Sequence, residues 1–161
     1  MIFYFVYFCR VKDLLNQNFE GKRVIVRVDF NVPLDKYFNI TDDSRIKAVL
    51  PTLNKLIEDK AKIILMSHLG RPRGVESKFS LSHIVDSLQS ILAVNVSFSE
   101  NCIGEKTISY VNNLKPGEVL LLENLRFHNE EKSGDYNFAK QLSKLADVYV
   151  NDAFGAAHRS H

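Results

Sequence analysis

Short apolar runs alternate along this chain with stripes of apolar residues at helical spacing, and that alternation limits the folds open to it. Lys62-Ile-Ile-Leu-Met66 and Val119-Leu-Leu-Leu122 are almost continuously apolar, as strands covered on both faces must be. Arg23–Val28, Asn95–Ser99 and Val148–Val150 are further strand candidates. Between Arg23–Val28 and Lys62–Met66, Ser44 to Asp59 carries Ile46, Val49, Leu50, Leu53, Leu56 and Ile57 on one side, the pattern of an amphipathic helix. Thr41, Asp42 and Asp43 suit its N-terminus, and Pro51 is expected to kink it or mark a false start.

Ser80 reads as the cap of a second helix with Leu81, Ile84, Val85, Leu88, Ile91 and Leu92 inward. A weaker helix, rich in β-branched residues, is expected over Ile103–Asn113. Lys115-Pro-Gly-Glu118 reads as a turn. Asp135 is expected to cap a last helix with Phe138, Ala139, Leu142, Leu145 and Ala146 inward. Repeated strand–helix units predict an α/β fold. The sheet is expected to be open and mostly parallel with helices on both faces, a Rossmann-like three-layer arrangement.

The 161 residues allow one sizeable core and are few for two. A net charge of +2 gives no bulk reason to expect nucleic acid or a membrane surface as partner. No run approaches the roughly 20 apolar residues of a membrane helix. Cys9 and Cys102 show neither metal spacing nor a disulfide framework and suit a reducing cytosol. The aromatic opening, Met1 to Cys9, lacks a basic start and a small-residue cleavage site, so it is a poor signal peptide. It reads equally as a packed extension or an unstructured leader, with a misplaced start codon as a third possibility; residues 1–12 are treated as a leader of unknown structure.

In an open parallel sheet ligands bind at the carboxyl ends of the strands, and the unusual polar residues fall there. The first strand exits into Asp29-Phe30-Asn31, the second into Ser67-His68-Leu69-Gly70-Arg71-Pro72. The fourth exits into Glu123-Asn124-Leu-Arg126-Phe-His128, and the fifth into Asn151-Asp152 with His158 and Arg159 beyond. Arg71, Arg126 and Arg159 are expected to converge on one rim with His68, and Arg45 is near enough in the chain to join them. A guanidinium fork matches phosphate or carboxylate oxygens two at a time, so this rim would attract a small, multiply charged anion. Each residue alone has an ordinary alternative. A single loop arginine is usually a solvated charge, a strand-end histidine is often structural, and Asp29, Asn31 and Asp152 are all good turn formers. No Gly-x-x-x-x-Gly-Lys-Ser/Thr loop and no Gly-x-Gly-x-x-Gly fingerprint is present. The residues by themselves therefore reach an anion-binding α/β domain.

The strand-end strings carry more. Arg27-Val-Asp-Phe-Asn-Val-Pro33, Asp43-Ser-Arg-Ile46, Met66-Ser-His-Leu-Gly-Arg-Pro72, Leu122-Glu-Asn-Leu-Arg-Phe-His128 and Val150-Asn-Asp-Ala-Phe-Gly155 with His158-Arg159 resemble the phosphoglycerate kinase family in order and spacing. Lys115-Pro-Gly-Glu-Val-Leu-Leu-Leu-Glu123 matches too; the likeness runs from about residue 19 to the end. The resemblance implies a two-domain glycolytic enzyme that reversibly moves a phosphoryl group between 1,3-bisphosphoglycerate and Mg-ADP, giving 3-phosphoglycerate and Mg-ATP. It implies that residues 13–161 are the amino-terminal, phosphoglycerate-binding domain, incomplete at its C-terminal end. It also implies that Mg-ADP or Mg-ATP is bound by a second domain absent from this chain.

Carried over residue by residue, Asp29 and Asn31 resemble the residues that orient the acid and its hydroxyl. His68, Arg71, Arg126 and Arg159 resemble the basic patch that grips the distant phosphate, and Phe30, Leu69 and Gly70 are further substrate-binding positions that the resemblance implies. Arg45 resembles the arginine that steadies charge on the phosphoryl group in flight. No cofactor or metal is then expected on this chain, which is expected to be a cytoplasmic monomer without kinase activity of its own. A non-catalytic anion-binding domain and an inert gene remnant are the alternatives.

Overall fold

Each of the five strand-like runs lies in one sheet, and every neighbouring pair in it is parallel. The computed structural model describes residue 14 and residues 16–153. The strands are β1 (Arg23–Arg27), β2 (Lys62–Met66), β3 (Val96–Ser99), β4 (Val119–Leu122) and β5 (Val148–Asn151), in the spatial order β3-β4-β2-β1-β5. The helices are α1 (Ser44–Ala48), α2 (Leu50–Glu58), α3 (Val85–Leu92), α4 (Glu105–Asn113), α5 (Asn129–Ser133) and α6 (Tyr136–Ser143).

Strand periodicity sorts the core into two layers. Val24, Val26, Ile63, Leu65, Val119 and Leu121 face Ile46, Leu53 and Leu56 of the first two helices and Leu88 of α3. Ile25, Ile64, Met66, Leu120 and Leu122 face Val111 of α4 and Phe138 of α6. The chain moves outward from β1 to β3 beneath the first layer and returns through β4 to β5 beneath the second, so helices cover both faces.

Three local expectations need correction. The stripe over Ser44–Asp59 is two helices, broken at Val49, whose backbone turns to φ −96° and ψ −1°. Pro51 sits in the first turn of α2, where its missing N–H costs nothing. The second stripe begins as a 3-10 turn over Leu81–Ile84 before α3; the Ser80 hydroxyl caps it, accepting from the Ser82 amide at 3.1 Å. Asp135 does cap α6 through the Phe138 amide at 2.8 Å. Ala139, however, is exposed, and Leu145 and Ala146 are buried beyond the helix end rather than on its face.

Candidate functional site

The carboxyl ends of the central strands are stitched together by short polar bonds. The Ser67 hydroxyl, fully buried at the end of β2, donates to Val28 O at 2.9 Å and accepts from the Phe30 amide at 2.8 Å. That fixes the exit of β1 against the exit of β2. Beyond it, Asn31 Oδ1 accepts from the Gly70 amide at 2.8 Å, and Arg126 Nη1 donates to the Gly70 carbonyl at 2.9 Å. Three strand-end loops therefore meet at Gly70, whose φ of +64° suits glycine.

Hydrogen bonds link Arg45, Asp29, Asn31, Gly70 and Arg126 along this rim. Asp29 Oδ1 accepts from the Asn31 amide at 3.3 Å, and Asp29 Oδ2 pairs with the Arg45 guanidinium. Arg45 thus joins the rim, with about half of its side chain exposed. Arg71 is exposed and forms no hydrogen bond or ion pair among the described residues. Phe30 and Leu69 are core residues at 0% and 3% exposure, so their side chains anchor the loops instead of facing outward. Arg159 and His158 lie outside the described residues.

His68 differs most from its sequence impression. Burial, followed by the charges of Arg126 and Arg27, depresses its imidazole to about 4, with Asp29 and Glu131 pulling weakly the other way. It is a neutral ring at physiological pH, and its Nδ1 is buried without a hydrogen-bond partner among the described residues. Because the folded state binds this proton less readily than the unfolded one, stability should hold above pH 6.5 and fall as pH drops towards 4. Allowing for water at the open edge of the ring, the loss between pH 7 and pH 5 is about 1–2 kcal/mol. Urea melts at the two pH values measure it; His68→Gln should flatten the dependence, and an unchanged dependence in that variant would refute the assignment.

Arg27 opens the first of the family strings, but the sequence assigns it no partner. At the last position of β1 it donates through Nη2 to Glu131 Oε1 at 2.9 Å, with the two side chains 12% and 4% exposed. The available signal was a charged residue closing an apolar strand. Glu123, in contrast, turns inward to structural work, accepting from the Leu81 amide and the Ser80 hydroxyl. Burial also raises the Asp152 carboxyl, which bonds Thr52 of α2.

Chemically, the rim offers guanidinium groups, a neutral imidazole and an amide–carboxylate pair around one glycine turn, a set with donors suited to the oxygens of an anion. No helix among the described residues is long and apolar enough to cross a membrane. The phosphoglycerate kinase family model matches residues 11–161. The chain is 54% identical over 151 residues to phosphoglycerate kinase 1, chloroplastic, of Arabidopsis thaliana, covering 94% of this chain and 31% of that protein. It is 51% identical to the cytosolic phosphoglycerate kinase of Nicotiana tabacum, covering 94% and 38%. The crystal structure of phosphoglycerate kinase from Pyrococcus horikoshii OT3 superposes with a TM-score of 0.82 at 38% identity, covering 94% of this chain and 38% of that one. The chain spans about a third of the length of these relatives.

Proposed function

This chain belongs to the phosphoglycerate kinase family, and we propose that its rim holds the phosphoglycerate of that family's reaction. The reaction moves a phosphoryl group from the carboxyl of 1,3-bisphosphoglycerate to Mg-ADP, leaving 3-phosphoglycerate and forming Mg-ATP. Arg71, Arg126, Arg159 and His68 take the phosphate on the distant carbon. Asp29 and Asn31 orient the hydroxyl and the acid, in a loop that Phe30 anchors in the core. Arg45 steadies the charge of the phosphoryl group in transit. Leu69 and Gly70 shape the turn against which Arg126 rests. The observation that carries this reading is the Arg126–Gly70–Asn31 junction, which brings three strand-end loops bearing the family motifs within hydrogen-bond distance.

Such a site suits phosphoryl transfer, which needs positioning and charge neutralisation more than covalent help from the protein. A carboxylate is already ionised at neutral pH and calls for no general base. The Mg-nucleotide is assigned to a part of the family's enzyme outside these 161 residues, and the chain to the cytoplasm as a monomer. The 161-residue chain is accordingly expected to bind 3-phosphoglycerate with saturable heat in calorimetry and to form no ATP from 1,3-bisphosphoglycerate and ADP. A flat titration refutes the site, and steady ATP formation refutes the division of labour.

A further inference from the structure

Asn124 stands just after β4 at 0% exposure, and three of the four hydrogen bonds of its side-chain amide reach other loops. Its Oδ1 accepts from the amides of Leu69 at 3.3 Å and Arg126 at 3.0 Å. Its Nδ2 donates to the carbonyls of Leu69 at 2.8 Å and Phe79 at 2.9 Å. Only a side chain with two donors and a doubly accepting oxygen satisfies all four, so neither aspartate nor leucine is equivalent. Both backbone groups of the residue preceding Gly70 are therefore referred to one buried point. So are the main chain of Phe79, whose ring lies against Gly70, and the main chain of Arg126, whose guanidinium reaches the Gly70 carbonyl.

We propose that Asn124 is a positioning residue of the anion site, setting the Arg126 guanidinium and the Gly70–Arg71 turn in register so that both address one ligand. The inference rests on reading the rim as the phosphoglycerate site. A residue that served stability alone would leave the affinity of the folded chain untouched, whereas a positioning residue acts through Arg126 and loses its effect when Arg126 is gone.

The test is a thermodynamic cycle of 3-phosphoglycerate titrations on the 161-residue chain, run well below the melting transition. Asn124→Ala should weaken binding about 10-fold in the unmodified background and less than about 2-fold in Arg126→Ala. Equal effects in both backgrounds, or an unchanged affinity beside a lowered melting temperature, would overturn the proposal while leaving the site intact. An unmodified chain that does not bind, or one indifferent to Arg126→Ala, would instead remove the site and this inference with it. Should Asn124→Ala not fold, Asn124→Asp keeps the accepting oxygen and loses the donor hydrogens. Referred to the unmodified chain at each pH, its deficit should shrink between pH 7 and pH 5 as the carboxyl regains a proton. A deficit that ignores pH counts against the proposal.

Discussion

Arg126→Ala is expected to weaken 3-phosphoglycerate binding about 100-fold, near the upper end of what losing charge-assisted hydrogen bonds from one residue costs. The guanidinium is not a loose surface charge. Its Nη1 bond to Gly70 O at 2.9 Å orients the fork before a ligand arrives, so that holding an anion costs less side-chain freedom. Arg126→Lys should recover only part of the loss, about 10-fold weaker than the unmodified chain, because an ammonium cannot bridge the Gly70 carbonyl and two anion oxygens. A second signature follows from the field at His68. Arg126 is the leading charge holding that imidazole unprotonated, so its removal should raise the His68 pKa. The binding deficit should then narrow at mildly acidic pH, where His68 can take up a proton and replace part of the lost positive charge. Calorimetry at low ionic strength, at pH 7 and pH 5.5, measures both effects. An Arg126→Ala affinity within about 3-fold of the unmodified chain would rule out this arginine as a main anchor.

The parts of the fold legible from sequence are those set by local physics. Val119–Leu122 is apolar at every position because helices cover both sides of its strand, and four buried residues in a row admit little else. The break at Val49 was harder to read. The apolar stripe continues unbroken through it, and only Pro51 signals that the backbone hydrogen bonds must be rearranged there. The site divides in the same way. Chain direction in a parallel sheet dictates which loops share an edge, and the loops of Asn31, Gly70 and Arg126 share one. What sequence could not show is how those groups act on each other across long separations. His68 looks like a member of a cationic patch until burial and two neighbouring guanidinium groups make it neutral. Arg27 looks like strand until Glu131, 104 residues away, is found paired with it. Phe30 and Leu69 sit inside site motifs, yet both are buried, so motif membership in their case marks an anchor.

Gly70→Ala should be the most damaging small substitution for stability, costing about 2–4 kcal/mol. Two causes add. The backbone lies at φ +64°, where a Cβ costs about 1–2 kcal/mol. The added methyl would also stand 2.4 and 2.5 Å from two carbons of the Phe79 ring, far inside contact distance. The ring cannot retreat with its main chain, because the Phe79 carbonyl is held by Asn124 and its amide donates to Glu76 O at 2.9 Å. Relief must come from the ring leaving its rotamer or from the Gly70 turn moving outward, which would take the Asn31 and Arg126 bonds with it. A lowering of the melting temperature by about 5–15 °C is expected for a chain of this size, together with weakened 3-phosphoglycerate binding. Phe79→Ala added to Gly70→Ala removes the clash and leaves the backbone penalty, so the second substitution should cost less in the Gly70→Ala background than alone. Gly74→Ala is the control. No atom lies within 4 Å of its added methyl and its φ is not positive, so it should be neutral or slightly stabilising. Melting curves of the four variants decide the matter: a Gly70→Ala chain that melts with the Gly74→Ala chain would show that the turn holding Arg126 is far softer than its geometry requires.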